Sequence, residues 1–213
     1  MNEATRIIAI RHGQTAWNAE MRMQGQLDTA LDALGRRQAQ QLAQALAHEP
    51  IDAIVASDLS RAMQTAAPLA DARDLRVQSE RGLRERGFGD FEGFTYADIA
   101  RHWPAETARW RARDPAFAPS RGESLAAFYQ RCVGVAERLA RQHAGCAIVW
   151  VTHGGVLDCL YRATTRMALD AARTWTLDNA SINRLLHGDQ GLMLVGWGDV
   201  RHLDSPVADS RET

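Results

Sequence analysis

The chain has 213 residues, with 25 Lys and Arg against 26 Asp and Glu, which gives a formal net charge of −1. This length suits one α/β domain with a substantial core, and nothing in the composition divides it, so we predict a single domain over residues 1–213. The balanced charge argues against a general nucleic-acid or membrane-surface binder, so any preference for anions must be local. Three widely spaced cysteines without a CxxC pair, and no apolar run near the roughly 20 residues that span a bilayer, favour a cytoplasmic location.

The first predicted strand ends in a group of polar residues. An apolar run, I-I-A-I, is followed at once by Arg11, His12 and Gly13. Arginine offers a charged fork suited to phosphate oxygens, histidine is a nucleophile near neutral pH, and glycine permits positive φ and a close approach of backbone N–H groups to a ligand. This turn therefore predicts an anion site at the open end of a sheet. Asn18 and Gln24, in the polar segment that follows, are candidates for substrate contacts.

Helical and strand patterns alternate through the next part of the chain. The apolar spacing over residues 31–46 predicts an amphipathic helix with Asp32 as its N-cap. A short apolar run then predicts a strand that ends at Ser57, a weaker candidate for a substrate contact, and Asp58 opens the next helix. Because free N–H groups and the dipole at a helix N-terminus favour an anion, Arg61 in this first turn is a second candidate phosphate ligand.

The middle of the chain predicts a short strand, a loop and an inserted cap. Residues 75–78 indicate a strand, and the glycine-rich loop over residues 83–93 contains Glu85. The segment from about residue 94 to 121 is rich in aromatic side chains at helical spacing, which predicts one or two helices. We expect most of these aromatic side chains to form the core of the cap, with one or two lining a pocket.

The last third of the chain repeats the arrangement seen at Arg11. Ser124 is the predicted N-cap of a helix that reaches about residue 143. The strongest strand follows over residues 146–152 and ends in His153 and Gly154, with another helix behind it. The His-Gly turn therefore predicts a third polar group at the same open end of the sheet.

Two strand-like runs near the end, residues 179–186 and 191–197, predict a hairpin on one edge of the sheet. Residues 203–213 are polar, and we expect a frayed tail. Together the patterns predict an α/β fold, a three-layer α/β/α sandwich. Its central sheet is mostly parallel with an antiparallel edge strand, and it carries a small helical cap insertion.

Several segments resemble the motifs of the histidine phosphatase superfamily, the phosphoglycerate mutase-like enzymes. They are R-H-G-Q-T-A-W-N at residues 11–18, S-D-L-S-R-A-M-Q-T-A at residues 57–66, L-R-E-R-G-F-G-D-F-E-G at residues 83–93, and T-H-G-G at residues 152–155. The resemblance implies that His12 is the nucleophile that becomes phosphohistidine and that His153 is the second catalytic histidine. It implies that Glu85 protonates the leaving alkoxide and then activates water.

Phosphoryl transfer requires positive charge around the non-bridging oxygens. We expect Arg11, Arg61, a cationic His153 and the backbone N–H groups of Gly13 and Gly154 to supply it. The acidic residues form no aspartate cluster of the kind that a two-metal phosphatase needs, so we predict no metal and no other cofactor. The expected partner is a small-molecule phosphate ester, and a phosphate or sulfate ion fits the same site. No nucleic acid or membrane partner is expected, and a homodimer stays open.

The sequence predicts a metal-independent phosphomonoester hydrolase that acts on small phosphorylated metabolites through a phosphohistidine intermediate. One alternative is a cofactor-dependent phosphoglycerate mutase, although such mutases resemble longer chains with a basic, proline-rich insert after the catalytic glutamate. A second alternative is a non-catalytic phospho-ligand-binding protein, because a fold does not dictate a function. The substrate stays open, since Asp158 stands where similar phosphatases often carry arginine in H-G-G-x-x-R.

Overall fold

A six-stranded sheet forms the centre of the protein. The computed structural model describes residues 4–204, so most of the predicted tail, residues 205–213, lies outside the described residues. The strands are β1 (Thr5–Arg11), β2 (Ala53–Ala56), β3 (Val77–Ser79), β4 (Ala147–Thr152), β5 (Ile182–Gly188) and β6 (Gly191–Asp199). They lie in the order β3-β2-β4-β1-β5-β6, with β1 to β4 mutually parallel and β5 antiparallel to both of its neighbours. The mostly parallel sheet and the hairpin at its edge confirm the sequence prediction.

Helices cover both faces of this sheet. The α-helices within the described range are α1 (Ala16–Ala19), α2 (Ala33–Ala45), α3 (Ser60–Asp71), α4 (Tyr96–His102), α5 (Pro104–Arg111), α6 (Leu125–Gln142) and α7 (Gly154–Thr165). Residues of α2 and α3 share one apolar cluster with the sheet, and residues of α6 and α7 share another. The fold is therefore an α/β/α sandwich of three layers.

The alternation of side chains along β1 explains why the strand needs helices on both sides. Ile7 and Ala9 join the cluster with α6 and α7, while Ile8 and Ile10 point the other way into the cluster with α2 and α3. A strand that is buried on both faces appears in the sequence as a continuous apolar run rather than an alternating one. The run at the start of the chain is of this kind.

Two predicted helix caps are present. The Asp32 carboxylate accepts a hydrogen bond from the Gly35 N–H at 2.7 Å, and the Ser124 hydroxyl accepts one from the Ala127 N–H at 3.1 Å. The expected start of α3 at Asp58 is wrong by two residues. Leu59 is the N-cap residue, and the Ser60 N–H donates to the Asp28 carboxylate at 2.7 Å. The Asp58 carboxylate accepts two hydrogen bonds from Arg84, at 2.6 and 2.7 Å.

The predicted cap contains two helices, α4 and α5, that pack on an apolar cluster of their own. Phe91 and Phe117 are buried in this cluster, and Trp103 and Trp110 pack against it. Tyr96 is 45% exposed and lines the large cavity described below together with Trp110. As expected, most of the aromatic side chains near the cap serve its core and a minority face a pocket. Over residues 4–204, none of the helices is long and apolar enough to cross a membrane.

Candidate active site

The register of the sheet brings the two predicted catalytic histidines together. β1 and β4 run parallel with Arg11 opposite Thr152, so the next residue of each strand, His12 and His153, lies at the same sheet edge. The backbone N–H of His12 donates to the Thr152 carbonyl at 2.9 Å, and the centroids of the two imidazole rings are 5.1 Å apart. Both rings lie almost fully out of solvent.

The hydrogen bond of the His12 ring fixes which nitrogen is free to react. Its Nδ1 lies 2.7 Å from the Gly13 carbonyl oxygen, which is an acceptor only, so Nδ1 carries the proton and Nε2 carries the lone pair. Burial is the largest cause that lowers the pKa of His12 well below 6.5, followed by the charges of Arg61 and Arg11. The ring is therefore neutral near pH 7, as a nucleophile must be.

Gly13 serves the site in a different way from the one expected. Its N–H donates to the Thr65 hydroxyl at 2.9 Å rather than pointing to a ligand, and its φ is not positive. A Cβ at this position would lie 2.6 Å from the carbonyl oxygen of Gly35 at the start of α2. Glycine is required here because two backbone segments approach closely, and its carbonyl rather than its N–H orients His12.

His153 is neutral in this structure, which corrects the expectation of a cationic ring. Arg61 Nε donates to His153 Nδ1 at 3.3 Å, so the proton of the ring lies on Nε2, 2.8 Å from the Ser57 hydroxyl. Burial, followed by the charge of Arg61, lowers the pKa of His153 well below 6.5. Ser57, a weaker candidate for substrate contact, is fully buried and holds His153 instead.

Arg61 is buried, and most of its donors already have partners. Besides its bond to His153, its Nη2 donates to the Gly25 carbonyl at 2.7 Å and its Nη1 to the Leu27 carbonyl at 2.9 Å. Burial lowers the pKa of Arg61 to about 10, which leaves it cationic at neutral pH. Arg61 lines the cavity, but its hydrogen bonds link α3 to the loop before α2. Most of its N–H groups are therefore not free for a ligand.

Arg11 presents a freer guanidinium to the cavity. Its Nη1 donates to the Leu177 carbonyl, while its buried Nε has no hydrogen-bond partner among the described residues. Burial lowers the pKa of Arg11, and Glu85 is the largest opposing influence. Gly154 begins α7 directly beside this side chain, since a Cβ there would lie 3.4 Å from Arg11 Nε. A buried N–H without a partner marks Arg11 as the residue best placed to receive an anionic oxygen.

Glu85 is held at the cavity by backbone N–H groups. One carboxylate oxygen accepts from the Arg86 N–H at 2.8 Å and the other from the Gly155 N–H at 2.9 Å. Its carbonyl accepts from Arg131 at 3.1 Å and Gln26 at 3.2 Å. The loop conformation and the first turn of α7 together therefore set the position of this carboxyl group.

Asn18 and Gln24 line the same cavity, although part of each amide is already used. The Asn18 side chain closes the capping box of α1 with Thr15. The Gln24 carbonyl oxygen accepts from the hydroxyl groups of Thr15 at 3.0 Å and Thr29 at 2.6 Å. The NH₂ group of each amide is the part that remains for a ligand.

The cavity itself has a volume of about 850 Å³ and a strong excess of positive charge. Seven arginines line it, Arg11, Arg22, Arg61, Arg86, Arg111, Arg113 and Arg173, against three acidic residues, Glu85, Asp158 and Asp178. This excess of four formal positive charges contrasts with the net charge of −1 for the whole chain. The site is therefore suited to an anion, and the preference is local as the composition required.

The sequence profile of the histidine phosphatase superfamily (branch 1) matches residues 7–200. The chain belongs to this family. Phosphoglycerate mutase-like protein 4 of Arabidopsis thaliana is 41% identical over 203 residues, which cover 93% of this chain and 86% of the relative. A metal-independent phosphoserine phosphatase of the same plant is 35% identical over 208 residues, which cover 96% and 85%.

A solved structure agrees with these relatives. The mycobacterial glucosyl-3-phosphoglycerate phosphatase in complex with VO3 superposes with a TM-score of 0.81 at 34% identity, covering 91% of this chain and 98% of that chain. With phosphatases among its relatives, this member of the histidine phosphatase superfamily is an enzyme of the phosphatase type.

Sequence reasoning missed several residues that build the site of this histidine phosphatase. Gly155 orients Glu85, Thr65 holds the turn after His12, and the Asn179 amide donates to the His12 carbonyl at 2.9 Å. The double glycine after His153 was the available signal for Gly155. Thr65 lies in the motif at residues 57–66, which was the signal available for it. Asn179 acts through a tertiary hydrogen bond that leaves no pattern in the sequence. No group of three or more His, Cys, Asp or Glu side chains over residues 4–204 is arranged to hold a metal ion.

Proposed function

We propose that this protein is a metal-independent phosphomonoester hydrolase that acts on small phosphorylated metabolites through a phosphohistidine intermediate on His12. The observation that carries the proposal is the hydrogen bond from His12 Nδ1 to the Gly13 carbonyl. It leaves the Nε2 lone pair on a neutral ring that lines a cationic cavity, together with Arg11 and Glu85.

In the first step, His12 Nε2 attacks phosphorus, and a P–N bond forms as the P–O bond of the ester breaks. The Glu85 carboxyl group gives its proton to the departing alkoxide. Arg11 offers its unpaired N–H to a non-bridging oxygen, and Arg61 adds a second fixed positive charge. These charges are in place before the reaction, so they stabilise the transition state without reorganisation.

In the second step, the Glu85 carboxylate takes a proton from water, whose oxygen attacks phosphorus. The P–N bond breaks, inorganic phosphate leaves, and His12 returns to its neutral state while Glu85 is again protonated. The same carboxyl group therefore serves both steps, which requires that it keep one position. The N–H groups of Arg86 and Gly155 provide that constraint.

The size of the cavity supports a small metabolite rather than free phosphate alone as the substrate. A volume of about 850 Å³ is near the upper part of the range for small-molecule sites and leaves room for the alcohol portion of an ester. Two relatives are named for phosphoserine and glucosyl-3-phosphoglycerate. We infer that the substrate belongs to the same broad class of phosphorylated metabolites.

A screen of phosphate esters in excess chelator tests this function. We expect release of inorganic phosphate from several small esters, with no loss of activity when divalent metals are removed. A parallel assay with 2,3-bisphosphoglycerate present measures isomerisation of phosphoglycerate. Isomerisation much faster than phosphate release would establish the mutase alternative. Tight phosphate binding with no turnover of any ester would establish a binding protein.

A further inference from the structure

A buried carboxylate forms part of the cavity wall beyond the phosphate end. Asp158 is 5% exposed and lies on α7 one helical turn after Gly154 and Gly155, which places it on the same helix face about 5.4 Å further along. It lines the cavity with Arg113. Since the glycines flank Arg11 and Glu85, Asp158 faces the region that the alcohol portion of an ester would occupy.

Two arginines share one oxygen of this carboxylate. Asp158 Oδ2 accepts from Arg113 Nη2 at 2.5 Å and from Arg162 Nε at 3.0 Å. Asp158 Oδ1 is buried and finds no hydrogen-bond partner in the described part of the chain. One charged carboxylate therefore lies between two guanidinium groups, with half of its acceptor capacity unused.

Arg162 is a fixed structural cation. Its side chain is fully buried, its two Nη atoms donate to the carbonyls of Ala168 and Ala171, and its guanidinium lies 4.9 Å from the Trp175 ring centroid. No part of Arg162 lines the cavity. Its bond to Asp158 anchors the carboxylate on α7.

Arg113 comes from the cap and is tied across the cavity to the main body. It follows α5, its Nε donates to the Leu169 carbonyl at 2.8 Å, and its Nη2 is bound by Asp158. Two of its three nitrogen atoms are thus directed to protein acceptors. The carboxylate both neutralises this cavity-lining guanidinium and holds it against the wall.

We propose that Asp158 is a specificity-determining residue that disfavours esters with a second anionic group in their alcohol portion. This inference rests on the proposed phosphatase function. A substrate carboxylate near this wall competes with Asp158 for Arg113, whose positive charge Asp158 already neutralises. An uncharged hydroxyl group of the same size does not depend on that charge.

A matched pair of esters tests the inference. 3-Phosphoglycerate and glycerol 3-phosphate differ in a carboxylate against a hydroxymethyl group, so the ratio of their kcat/KM values isolates the second charge. In Asp158→Asn we expect this ratio to rise at least about fivefold in favour of 3-phosphoglycerate, as expected for removal of one nearby like charge in a partly solvated site. Asp199→Asn breaks an ion pair with Arg201 away from this cavity and should leave the ratio unchanged.

Because Asp158→Asn leaves Arg162 buried without its anion, the variant Asp158→Asn/Arg162→Met removes the buried pair together and should give the same rise. A ratio within twofold of the wild-type value in a folded variant would overturn the inference. If the protein hydrolyses no ester, the proposed function fails separately. In that case the binding constants of the same two esters are measured by calorimetry on a His12→Ala background, with and without Asp158→Asn. The ratio of the two binding constants then tests the role of Asp158.

Discussion

The two histidines of the site experience the same electrostatic environment and differ through their hydrogen bonds. Burial and the charge of Arg61 lower the pKa of both rings. The Gly13 carbonyl places the proton of His12 on Nδ1, whereas Arg61 places the proton of His153 on Nε2. His12 thus keeps a lone pair toward the cavity, while both nitrogens of His153 are engaged with the protein. This contrast supports the proposal that His12, and not His153, is the nucleophile.

The proton-transfer role proposed for Glu85 predicts a dependence on the leaving group. Glu85→Gln should lower kcat by about 10² to 10⁴ with an alkyl phosphate, because the departing alkoxide needs a proton. With p-nitrophenyl phosphate the first step needs no proton, so a burst of p-nitrophenolate should precede slow turnover. Stopped-flow absorbance measures the burst directly.

Glu106→Gln is the matched control, because Glu106 is an exposed carboxylate in the cap and outside the cavity lining. It should behave as the wild type with both esters. An equal loss of activity for Glu85→Gln with both leaving groups, and no burst, would show that Glu85 does not donate the proton.

At the residue scale, the sequence identified the cavity residues better than their contacts. Arg61 was expected to bind phosphate because it lies in the first turn of a helix. Its partners, the carbonyls of Gly25 and Leu27, are more than 30 residues away and depend on the path of a loop. His153 was expected to be cationic, because the sequence does not show that Arg61 lies beside it in the fold. The chemical role open to a side chain can be predicted from its residue type, whereas its protonation state depends on its tertiary contacts.

At the scale of elements, the site depends on how closely the first turn approaches α2. A Cβ on Gly35 would lie 2.0 Å from the Gln14 carbonyl oxygen. Relieving this contact would require the backbone to move, which is energetically costly. The turn after β1, which carries His12, therefore packs directly on the first turn of a helix. The position of His12 is in this way tied to the packing of an entire layer.

Substitutions of two helical glycines test this packing. Gly35→Ala should destabilise the fold by about 1–3 kcal/mol through overpacking and lower kcat/KM at least about tenfold by displacing the turn after β1. Gly134→Ala on α6 adds its Cβ where, beyond the backbone of its own helix and its chain neighbours, no described atom lies within 4 Å. It should stabilise the fold by about 0.5–1 kcal/mol and leave activity intact. Urea unfolding and steady-state kinetics measure both effects, and equal behaviour of the two variants would refute the packing account.

Element positions were largely predictable because each had a local cause. The caps Asp32 and Ser124, the buried run of β1 and the hairpin at the sheet edge follow from patterns within a few residues. The start of α3 did not, because the N–H of its first residue, Ser60, donates to Asp28, a residue 32 positions earlier. Local rules fail where a distant side chain supplies the hydrogen bond at a helix start.

At the scale of the whole molecule, positive charge is concentrated at one cavity in a chain of nearly balanced charge. Arginines from the cap and from the segment after α7 reach the cavity with those of the first strand and α3. The composition predicted that an anion preference had to be local. It did not predict which arginines converge, since that depends on how the cap lies over the sheet edge.

The buried neutral histidines also predict how stability depends on pH. Their pKa values are lowered in the folded state, so the unfolded chain binds more protons below about pH 6.5 and stability falls as pH decreases. His202, half-buried, has a pKa lowered by burial and adds in the same direction. The stabilisation should be complete above about pH 6.5, and on the order of 2–4 kcal/mol should be lost by about pH 5.

Urea unfolding at several pH values between 5 and 7.5 measures this slope. His12→Gln should reduce it, because one buried group no longer titrates, while His48→Gln at an exposed position should not. A slope that is flat over this range, or unchanged in His12→Gln, would show that these histidines are not held neutral.

The central claim is that His12 carries the phosphoryl group during turnover, and rapid-quench trapping tests it most directly. Protein mixed for milliseconds with a good phosphate ester and quenched in alkali should carry a base-stable, acid-labile phosphoryl group, which peptide mass spectrometry assigns to His12. His12→Ala should show neither label nor turnover, and His48→Ala should show both. Turnover that persists in His12→Ala, or a label on any other residue, would contradict the account.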